Sequence, residues 1–374
     1  MKTLPFKIET GAMRARIGFG IDARVVTDFG CAFASVMGPG PIVVGRDGRP
    51  TGEHYARSVI SSMNSVGREV YAVGCAPTAT LGVAVRELHC AGGVSITPGP
   101  YDEGWSGLQF LDKNGAPVSV ELWGRILRAY ERKRFRFVSG ERVGAFKMNY
   151  SCLGRHIQAV SESRGLDSMD LARAQMTVVV DSNNAAPSAV LPQFLRCLGV
   201  HTLEMNGGLN TGFAHAPDLT PANFKALGAE VRKRSAHAGI GVDGDGSALT
   251  LVDNLGKVVG VERTLMLAAR QILRTTTGVI GVEEGALKGL RLFLRGLDGR
   301  VVDTSSSVAE TISRCRRGKW AAAFLKTGAI IYPPSGYTPD CLSVTALALS
   351  DLAKQRRTLA NLVADLPSSS AARK

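Results

Sequence analysis

The chain has 374 residues, of which 45% are hydrophobic and 43 are glycine, and 45 Lys and Arg against 32 Asp and Glu give it a net charge of +13. This length is sufficient for two to four domains with separate cores, and no stretch approaches the roughly 18 apolar residues of a membrane span. The N-terminus lacks the apolar region of a secretory signal, and the seven scattered cysteines contain no CxxC pair, so we expect a cytoplasmic protein without a disulfide framework or a zinc site.

Three segments in chain order share one pattern: an apolar strand, a turn, an amphipathic helix, a glycine turn and a second strand. They start at Pro41 ("PIVVGRDGRP"), Met176 ("MTVVVDSNNA") and Gly278 ("GVIGVEEG"). Each continues with a second helix, a third strand, a loop and a fourth strand. Short apolar strands that alternate with helices of about ten residues predict doubly wound α/β sheets. The chain is therefore predicted to contain three α/β domains of similar topology.

The loop between the last two strands of each unit is the natural place for a site. These loops read "PGPYDEGWS", "DGDGS" and "KTG". Ligand sites in open α/β sheets form at such strand ends. If the three domains pack around one cleft, the three loops would line it together.

A basic run extends from Arg125 to Phe137, "RILRAYERKRFRF". Such a run with interleaved aromatic residues is compatible with an anion or nucleic-acid site. It is also typical of the solvated face of a helix, which we prefer because no nucleic-acid-binding motif accompanies it.

Several short motifs are spread in order over essentially the whole chain: "TGAMRA" around Arg14, "VVGRDGRPTGE" with Arg46, Asp47 and Arg49, "APT" at 76–78, "AGGVSIT" at 91–97, "VDGDG" at 242–246, "DNLGKVVG" at 253–260 and "TPDCLSVTALALSDL" at 338–352. Together they resemble the α-D-phosphohexomutase superfamily, which includes phosphoglucomutase, phosphomannomutase and phosphoglucosamine mutase. The resemblance implies four domains around a cleft and transfer of a phosphoryl group through a phosphoserine. It also implies a divalent cation on aspartates, a loop that binds the sugar and a fourth domain that binds the second phosphate. Asp47 is expected to support the fold rather than catalysis.

The first loop departs from the family pattern at its centre. The family's serine loop, similar to T-A-S-H-N-P, aligns without gaps with Thr97 to Asp102, which places Gly99 at the phosphoserine position. Tyr101 stands at the position of the asparagine. Thr97, Tyr101 and Ser106 are the nearby hydroxyl groups that could substitute, but two prolines around Gly99 stiffen the loop. The lost nucleophile position predicts that this loop has no catalytic residue.

The other two loops depart from the pattern as well. The metal loop keeps Asp243 and Asp245 but has Ser247 at the position of the third aspartate, so it predicts at most weak Mg²⁺ binding or a plain turn. The sugar loop has Lys326 and Thr327 at 324–329, without the family's glutamate and histidine. No cofactor is expected to be required.

The predicted domain boundaries follow the repeat. Domain I covers 1–145 with its loop at 97–106, domain II covers 146–258 with its loop at 243–247, and domain III covers 259–367 with its loop at 324–329. A disordered tail is expected at 368–374, and the fourth domain is expected to be absent. The predicted fold class is thus α/β, with three tandem phosphohexomutase-like domains of mixed sheets around a central cleft.

These departures lead to one preferred hypothesis and two alternatives. The preferred hypothesis is a non-catalytic homologue that serves as a protein-interaction, regulatory or scaffold subunit linked to sugar-phosphate or polysaccharide metabolism. The first alternative is an active phosphosugar mutase or transferase with a rearranged site, and the second is anion or nucleic-acid binding through the basic surface. We expect a protein partner, as a homo-oligomer or a complex with an active mutase or sugar-nucleotide enzyme. A phosphosugar ligand is compatible with the cleft; a membrane or nucleic-acid partner is not expected.

Overall fold

The computed structural model describes residues 6–166 and 168–367, and the tail expected to be disordered lies outside them. The described residues form three mixed sheets with helices packed against them. This confirms the predicted α/β class. Among these residues, no helix is both long and apolar enough to cross a membrane.

The first sheet has seven strands in the order β1-β2-β6-β5-β3-β4-β7. The strands are β1 Lys7–Glu9, β2 Ala12–Arg16, β3 Ile42–Arg46, β4 Val70–Cys75, β5 Gly92–Ile96, β6 Trp105–Leu111 and β7 Phe146–Met148. The helices of this unit are α1 Ala23–Val36, α2 Pro50–Ser65, α3 Thr78–Glu87 and α4 Val120–Arg132. β3 pairs in parallel with β4 and β5, whereas β6 is antiparallel to β5 and β2. Strand β7 pairs with β4 although it lies beyond residue 145, the predicted end of domain I. The first sheet therefore includes three residues that follow the predicted boundary.

The second sheet has four strands in the order β11-β10-β8-β9. Its elements are α5 Ser151–Ser161, α6 Ser168–Arg173, β8 Thr177–Asp181, α7 Leu191–Cys197, β9 His201–Met205, α8 Lys225–Lys233, β10 Ala238–Val242 and β11 Leu249–Asp253. β8 is parallel to both β9 and β10, and β11 is antiparallel to β10.

The third sheet repeats this arrangement in the order β13-β12-β14-β15. Its elements are α9 Val261–Thr275, β12 Val279–Glu283, α10 Lys288–Gly296, β13 Arg300–Thr304, α11 Val308–Gly318, β14 Ala322–Phe324, β15 Ile330–Ile331, α12 Cys341–Gln355 and α13 Leu359–Ala364. In all three units, the two central strands are buried, apolar and parallel, and the chain passes from the first to the second through a helix, an outer strand and another helix. The last strand then returns antiparallel. The hairpin loop between the last two strands therefore occupies the same place in each unit.

Local sequence signals fix several helix starts. The Asp22 side chain accepts a hydrogen bond from the amide of Val25 at 2.8 Å and so caps α1. Asp340 caps α12 in the same way through the amides of Leu342 and Ser343. A capping side chain of this kind contributes about 1 kcal/mol to a helix.

The largest core spans the second and third sheets, with α9 packed against α12 between them. A second core lies beside the first sheet, where Phe29 contacts Tyr130, Trp123 and Phe110. The shared core and the helix α12 hold the second and third hairpin loops at a fixed distance from each other.

Candidate functional site

The first loop places Gly99 against the buried guanidinium of Arg14. Gly99 has φ of +65°, in the left-handed region, and its amide donates to Thr97 Oγ1 at 3.0 Å. A Cβ at this position would lie 2.7 Å from Arg14 Nε. The space of a serine side chain at position 99 is therefore partly taken by an arginine.

Replacing Gly99 with serine is expected to destabilise the protein by about 1–3 kcal/mol. The backbone of the serine would have to keep the positive φ of Gly99, and its side chain would have to displace Arg14. Gly38 is the matched control, since a Cβ there meets nothing within 4 Å, and Gly38→Ser should change stability by less than about 0.5 kcal/mol. Urea unfolding of both variants measures the difference. Equal stability of the two would show that Arg14 moves aside at no cost.

Arg14 lies on β2 with its side chain pointing into the cleft. It is 2% exposed, and its Nη atoms donate to the Leu108 carbonyl at 3.1 Å and to Gln109 Oε1 at 3.2 Å. Its Nε is buried without a hydrogen-bond partner. Burial lowers the pKa of Arg14, against the opposing effect of the Glu9 and Asp245 carboxylates. A guanidinium held in this way beside the cavity supplies a fixed positive charge that attracts an oxyanion.

The hydroxyl groups near Gly99 are occupied or buried. The Tyr101 ring stacks on Trp105 with centroids 4.5 Å apart, and its hydroxyl donates to Glu9 Oε1 at 3.1 Å. Thr97 and Ser106 are 1% and 0% exposed. The hydroxyl groups of Thr97, Tyr101 and Ser106 are therefore either buried or already hydrogen-bonded.

Arg46, Asp47 and Arg49 lie where β3 meets α2. Asp47 and Arg49 are each 1% exposed, and Arg49 Nε and Nη2 both donate to Asp47 Oδ2, at 3.0 and 2.9 Å. Arg49 Nη1 also donates to the carbonyls of Glu103 and Trp105. Arg46 donates to Glu53 and to Asn210 Oδ1 in the second unit. These side chains bind the first loop and the second unit to the first sheet.

The second loop joins a serine hydroxyl to a carboxylate. Ser247 Oγ donates to Asp243 Oδ2 at 2.5 Å, and the Ser247 amide donates to Asp243 Oδ1 at 2.9 Å and to Asp245 Oδ1 at 3.1 Å. The three side chains are partly exposed and line a common cavity. Burial, and secondly the Asp245 carboxylate, raises the pKa of Asp243 well above its ordinary value.

This loop fits a protein-held metal ion poorly. Both oxygens of Asp243 already accept hydrogen bonds from Ser247, and that serine replaces the third aspartate of the family pattern. Within 6–166 and 168–367, no group of three or more His, Cys, Asp or Glu side chains could hold a metal. The donor set therefore differs from the carboxylate-rich site that the family resemblance implies.

The third loop contributes polar groups but no free cation. Lys326 Nζ lies 3.3 Å from Glu283 Oε1, and the backbone amide of Lys326 donates to Glu283 Oε2 at 3.0 Å. Thr327 and Ala329 line the same cavity as Asp243 and Ser247. Thus Thr327, rather than Lys326, faces the cleft.

The three loops enclose a cavity of about 550 Å³. Ala248 pairs with Ala329 in an isolated β-bridge, and the Cys341 amide donates to the Gly246 carbonyl at 2.8 Å. Thr338 Oγ1 donates to the Gly115 carbonyl, which connects the third unit to the first. The lining includes Glu9, Arg14, Gly99, Asp218, Asp243, Asp245, Ser247, Ser307 and Thr327. The central cleft that the repeat predicted is therefore present.

Two features of this region are not evident from the sequence. Glu9, Asp218 and Ser307 line the cavity although no motif marks them. His215 Nε2 lies 3.2 Å from Asp181 Oδ2, a contact between residues 34 positions apart that no motif indicates. Burial lowers the pKa of His215, but its hydrogen bonds to Asp181 and the Ala216 carbonyl outweigh this effect and raise it. The turn "DSNN" after β8 was the available signal for polar groups at this edge.

Comparison with known proteins identifies the family. Residues 6–137 match the model for phosphoglucomutase/phosphomannomutase α/β/α domain I, and residues 155–256 match the model for domain II. The chain belongs to the phosphohexomutase superfamily. A protein of Methanopyrus kandleri named "Probable phosphoglucosamine mutase" is 27% identical over 361 residues, which cover 96% of this chain and 78% of the relative. A "Phosphoglucomutase/phosphomannomutase" of Thermococcus kodakarensis is 25% identical, with 87% of this chain and 71% of the relative covered.

The fold agrees with solved structures of the superfamily. A phosphoglucomutase/phosphomannomutase family protein from Burkholderia thailandensis superimposes with a TM-score of 0.83 at 22% identity, covering 96% of this chain and 79% of that one. At this identity the likeness concerns the fold alone.

The comparisons contradict the hypothesis of a non-catalytic interaction subunit, and with it the description as a pseudoenzyme. Relatives that cover almost the whole chain are named as mutases, which favours the alternative of an active enzyme with a rearranged site. The hypothesis rested on the departures of all three loops from the family pattern and on the expected absence of the fourth domain.

Proposed function

We propose that this protein is a phosphosugar mutase or phosphotransferase of the phosphohexomutase type with a rearranged site. The observation that carries the proposal is Arg14, a buried guanidinium with an unpartnered Nε, in a cavity that the loops of all three sheets line. The names of the relatives support a phosphorylated sugar as the ligand class.

The cavity offers complementary groups for such a ligand. The guanidinium of Arg14, whose Nη atoms donate to Leu108 and Gln109, would supply fixed positive charge to a phosphoryl group in the cavity. Glu9, Asp218 and Thr327 supply acceptors for sugar hydroxyl groups at the rim. Such fixed partners orient a substrate and reduce the entropic cost of reaching the transition state.

In this proposal Arg14 stabilises the negative charge that develops on the phosphoryl group during transfer. A preorganised donor that contacts charge developing on the phosphoryl group contributes about 10²–10³ in rate. Because the second loop fits a protein-held metal poorly, no step is assigned to magnesium.

The test is turnover by the purified chain. Hexose and hexosamine 1-phosphates and 6-phosphates are supplied separately with a catalytic amount of the corresponding bisphosphate, and ³¹P NMR follows the interconversion. One arm contains Mg²⁺ and another contains EDTA. We expect turnover of at least one substrate pair.

If no turnover is found, calorimetry with the same phosphates shows whether the protein still binds them. Binding without turnover would reduce the proposal to phosphosugar binding. Neither binding nor turnover with any of these phosphates would overturn it. The expectation of a protein partner stays a prediction, which light scattering at high concentration addresses.

A further inference from the structure

A second cavity of about 580 Å³ lies where the second and third units meet. Its walls include the carboxyl ends of α6 and α12, the start of α13 and the residues just before β8 and β10. We call it the distal cavity and define it by Arg173, Met176, His237, Lys354 and Leu359. None of the described residues that line it also lines the central cleft.

The distal cavity lies at the opposite end of the second sheet from the cleft. His237 precedes β10, whereas the second loop follows it, and a strand of five residues spans about 16 Å. The helix α12 begins at Cys341, whose amide donates to Gly246 of the second loop, and its last turn contains Lys354. A ligand in the distal cavity would therefore not occupy the central cleft.

The floor of the distal cavity is apolar and belongs to a packed core. Met176, Leu352 and Leu359 line it and are 3%, 5% and 0% exposed. All three belong to the core that the second and third units share, and α6 packs against α12 beside them. Sites for small molecules are commonly apolar clefts of about 300–1,000 Å³ between packed units, a range that includes this cavity.

The rim of the distal cavity is basic. Two of its four Lys and Arg side chains, those of Arg173 and Arg357, have an aspartate within 4.0 Å. Within 6–166 and 168–367, no hydrogen bond or ion pair engages the exposed side chains of the other two, Lys354 and Arg356. The rim therefore carries two positive charges without an acidic partner.

The carboxyl end of α12 accounts for only part of this charge. Lys354 lies in its last turn and Arg356 is its C-cap, positions at which basic side chains stabilise a helix. The partial negative charge of a helix end is about half an elementary charge. Since the two side chains together carry more than this, an excess of positive charge remains at the rim.

Two neutral side chains add hydrogen-bond donors. His237 Nδ1 accepts the amide of Thr177 at 3.0 Å, so the neutral ring carries its hydrogen on Nε2. Asn254 Oδ1 accepts the amide of Ala360 at 3.1 Å, which leaves the Nδ2 group of this side chain to donate. Donors beside an apolar floor suit a heterocyclic ring, whose faces are apolar and whose edge carries oxygen and nitrogen acceptors.

We propose that the distal cavity is a second ligand site and that it binds a nucleoside phosphate. The base packs on Met176, Leu352 and Leu359, and the phosphate pairs with Lys354 and Arg356. Inorganic phosphate would leave the apolar floor uncovered, and an uncharged nucleoside would leave the two basic side chains without a partner. The site is independent of the phosphotransferase function proposed for the central cleft.

The experiment titrates the full chain by calorimetry with the 5′-monophosphates of adenosine, guanosine, cytidine and uridine. We expect at least one of them to bind, and to bind more tightly than its nucleoside or inorganic phosphate. The double variant Lys354→Gln/Arg356→Gln should weaken this binding by at least about tenfold, because hydrogen bonds to charged groups contribute on this scale. Ala174→Phe leaves both charges in place but fills part of the cavity, so it should weaken binding as well.

Arg317→Gln/Lys319→Gln is the matched control. Arg317 lies in the last turn of α11, and Lys319 is its left-handed C-cap, as Arg356 is for α12. Both side chains are exposed, and both lie outside the lining of the two cavities. This control should change binding by less than about threefold, because a screened surface charge contributes little. Urea unfolding shows whether each variant is folded.

Four results would overturn the inference. The first is that none of the nucleotides binds at millimolar concentration, and the second is that inorganic phosphate binds as tightly as the nucleotide. The third is that the folded double variant binds like the unmodified chain or like the control. The fourth is loss of binding in Arg14→Met but not in the double variant, which would place the nucleotide in the central cleft. Each of these results leaves the turnover test of the proposed function unaffected.

Discussion

Asp47→Asn is expected to lower the free energy of unfolding by about 3–5 kcal/mol, which is the effect of breaking a buried ion pair. Asp47 and Arg49 are each 1% exposed, and three hydrogen bonds from Arg49 end on the Asp47 carboxylate. Burial raises the pKa of Asp47, and the positive charge of Arg49 opposes this shift. An asparagine removes the negative charge but leaves the guanidinium buried, so the cost is that of an uncompensated cation.

The measurement is urea unfolding followed by tryptophan fluorescence, because Trp105 and Trp123 both belong to the first unit. Asp28→Asn is the matched control. Asp28 pairs with Lys133, whose side chain is 52% exposed, and loss of such a surface pair costs less than about 1 kcal/mol. If the two variants were equally stable, Asp47 would not support the fold in the way its contacts suggest.

The architecture could be predicted from the sequence because it repeats. Each unit shows buried apolar strands separated by helical segments, and the four strands that the three sheets have in common follow the same order in space. A hairpin loop between the last two strands follows directly from that order. The short strands β1, β2 and β7 escaped prediction, because pairing at the edges of a sheet depends on distant partners rather than on local pattern.

The site was predictable only in part. The resemblance identified Asp243, Asp245 and Ser247 as one loop, but it presented Ser247 as a weakened metal ligand. The hydrogen bond between Ser247 and Asp243 depends on the conformation of a turn with Gly246 at positive φ, which residue types alone do not specify. Likewise, the sequence showed that Gly99 lacks a side chain, whereas only the structure places Arg14 Nε 2.7 Å from the point where a Cβ of residue 99 would lie.

Arg14→Met is expected to weaken phosphosugar binding or turnover by about 10²–10³-fold, because it removes the fixed positive charge of the cavity. Methionine retains much of the buried side chain's volume. The Leu108 carbonyl and Gln109 Oε1 lose a donor, so the free energy of unfolding should also fall, by about 1–3 kcal/mol. The stability loss is measured by urea unfolding, and the ligand effect by calorimetry and turnover at a temperature where the variant is folded.

Arg16→Met provides the matched control on the same strand. Arg16 is exposed and its guanidinium lies 5.8 Å from the Trp105 ring, so its loss should leave ligand binding within about threefold, since a screened surface charge contributes little. Because Lys has a single ammonium group, Arg14→Lys should not restore binding: it cannot contact Leu108, Gln109 and a phosphoryl oxygen together. If Arg14→Met were folded and bound phosphosugar as tightly as Arg16→Met, the unpartnered Nε would have no ligand role. The phosphoryl group would then have to be held by other residues of the cavity.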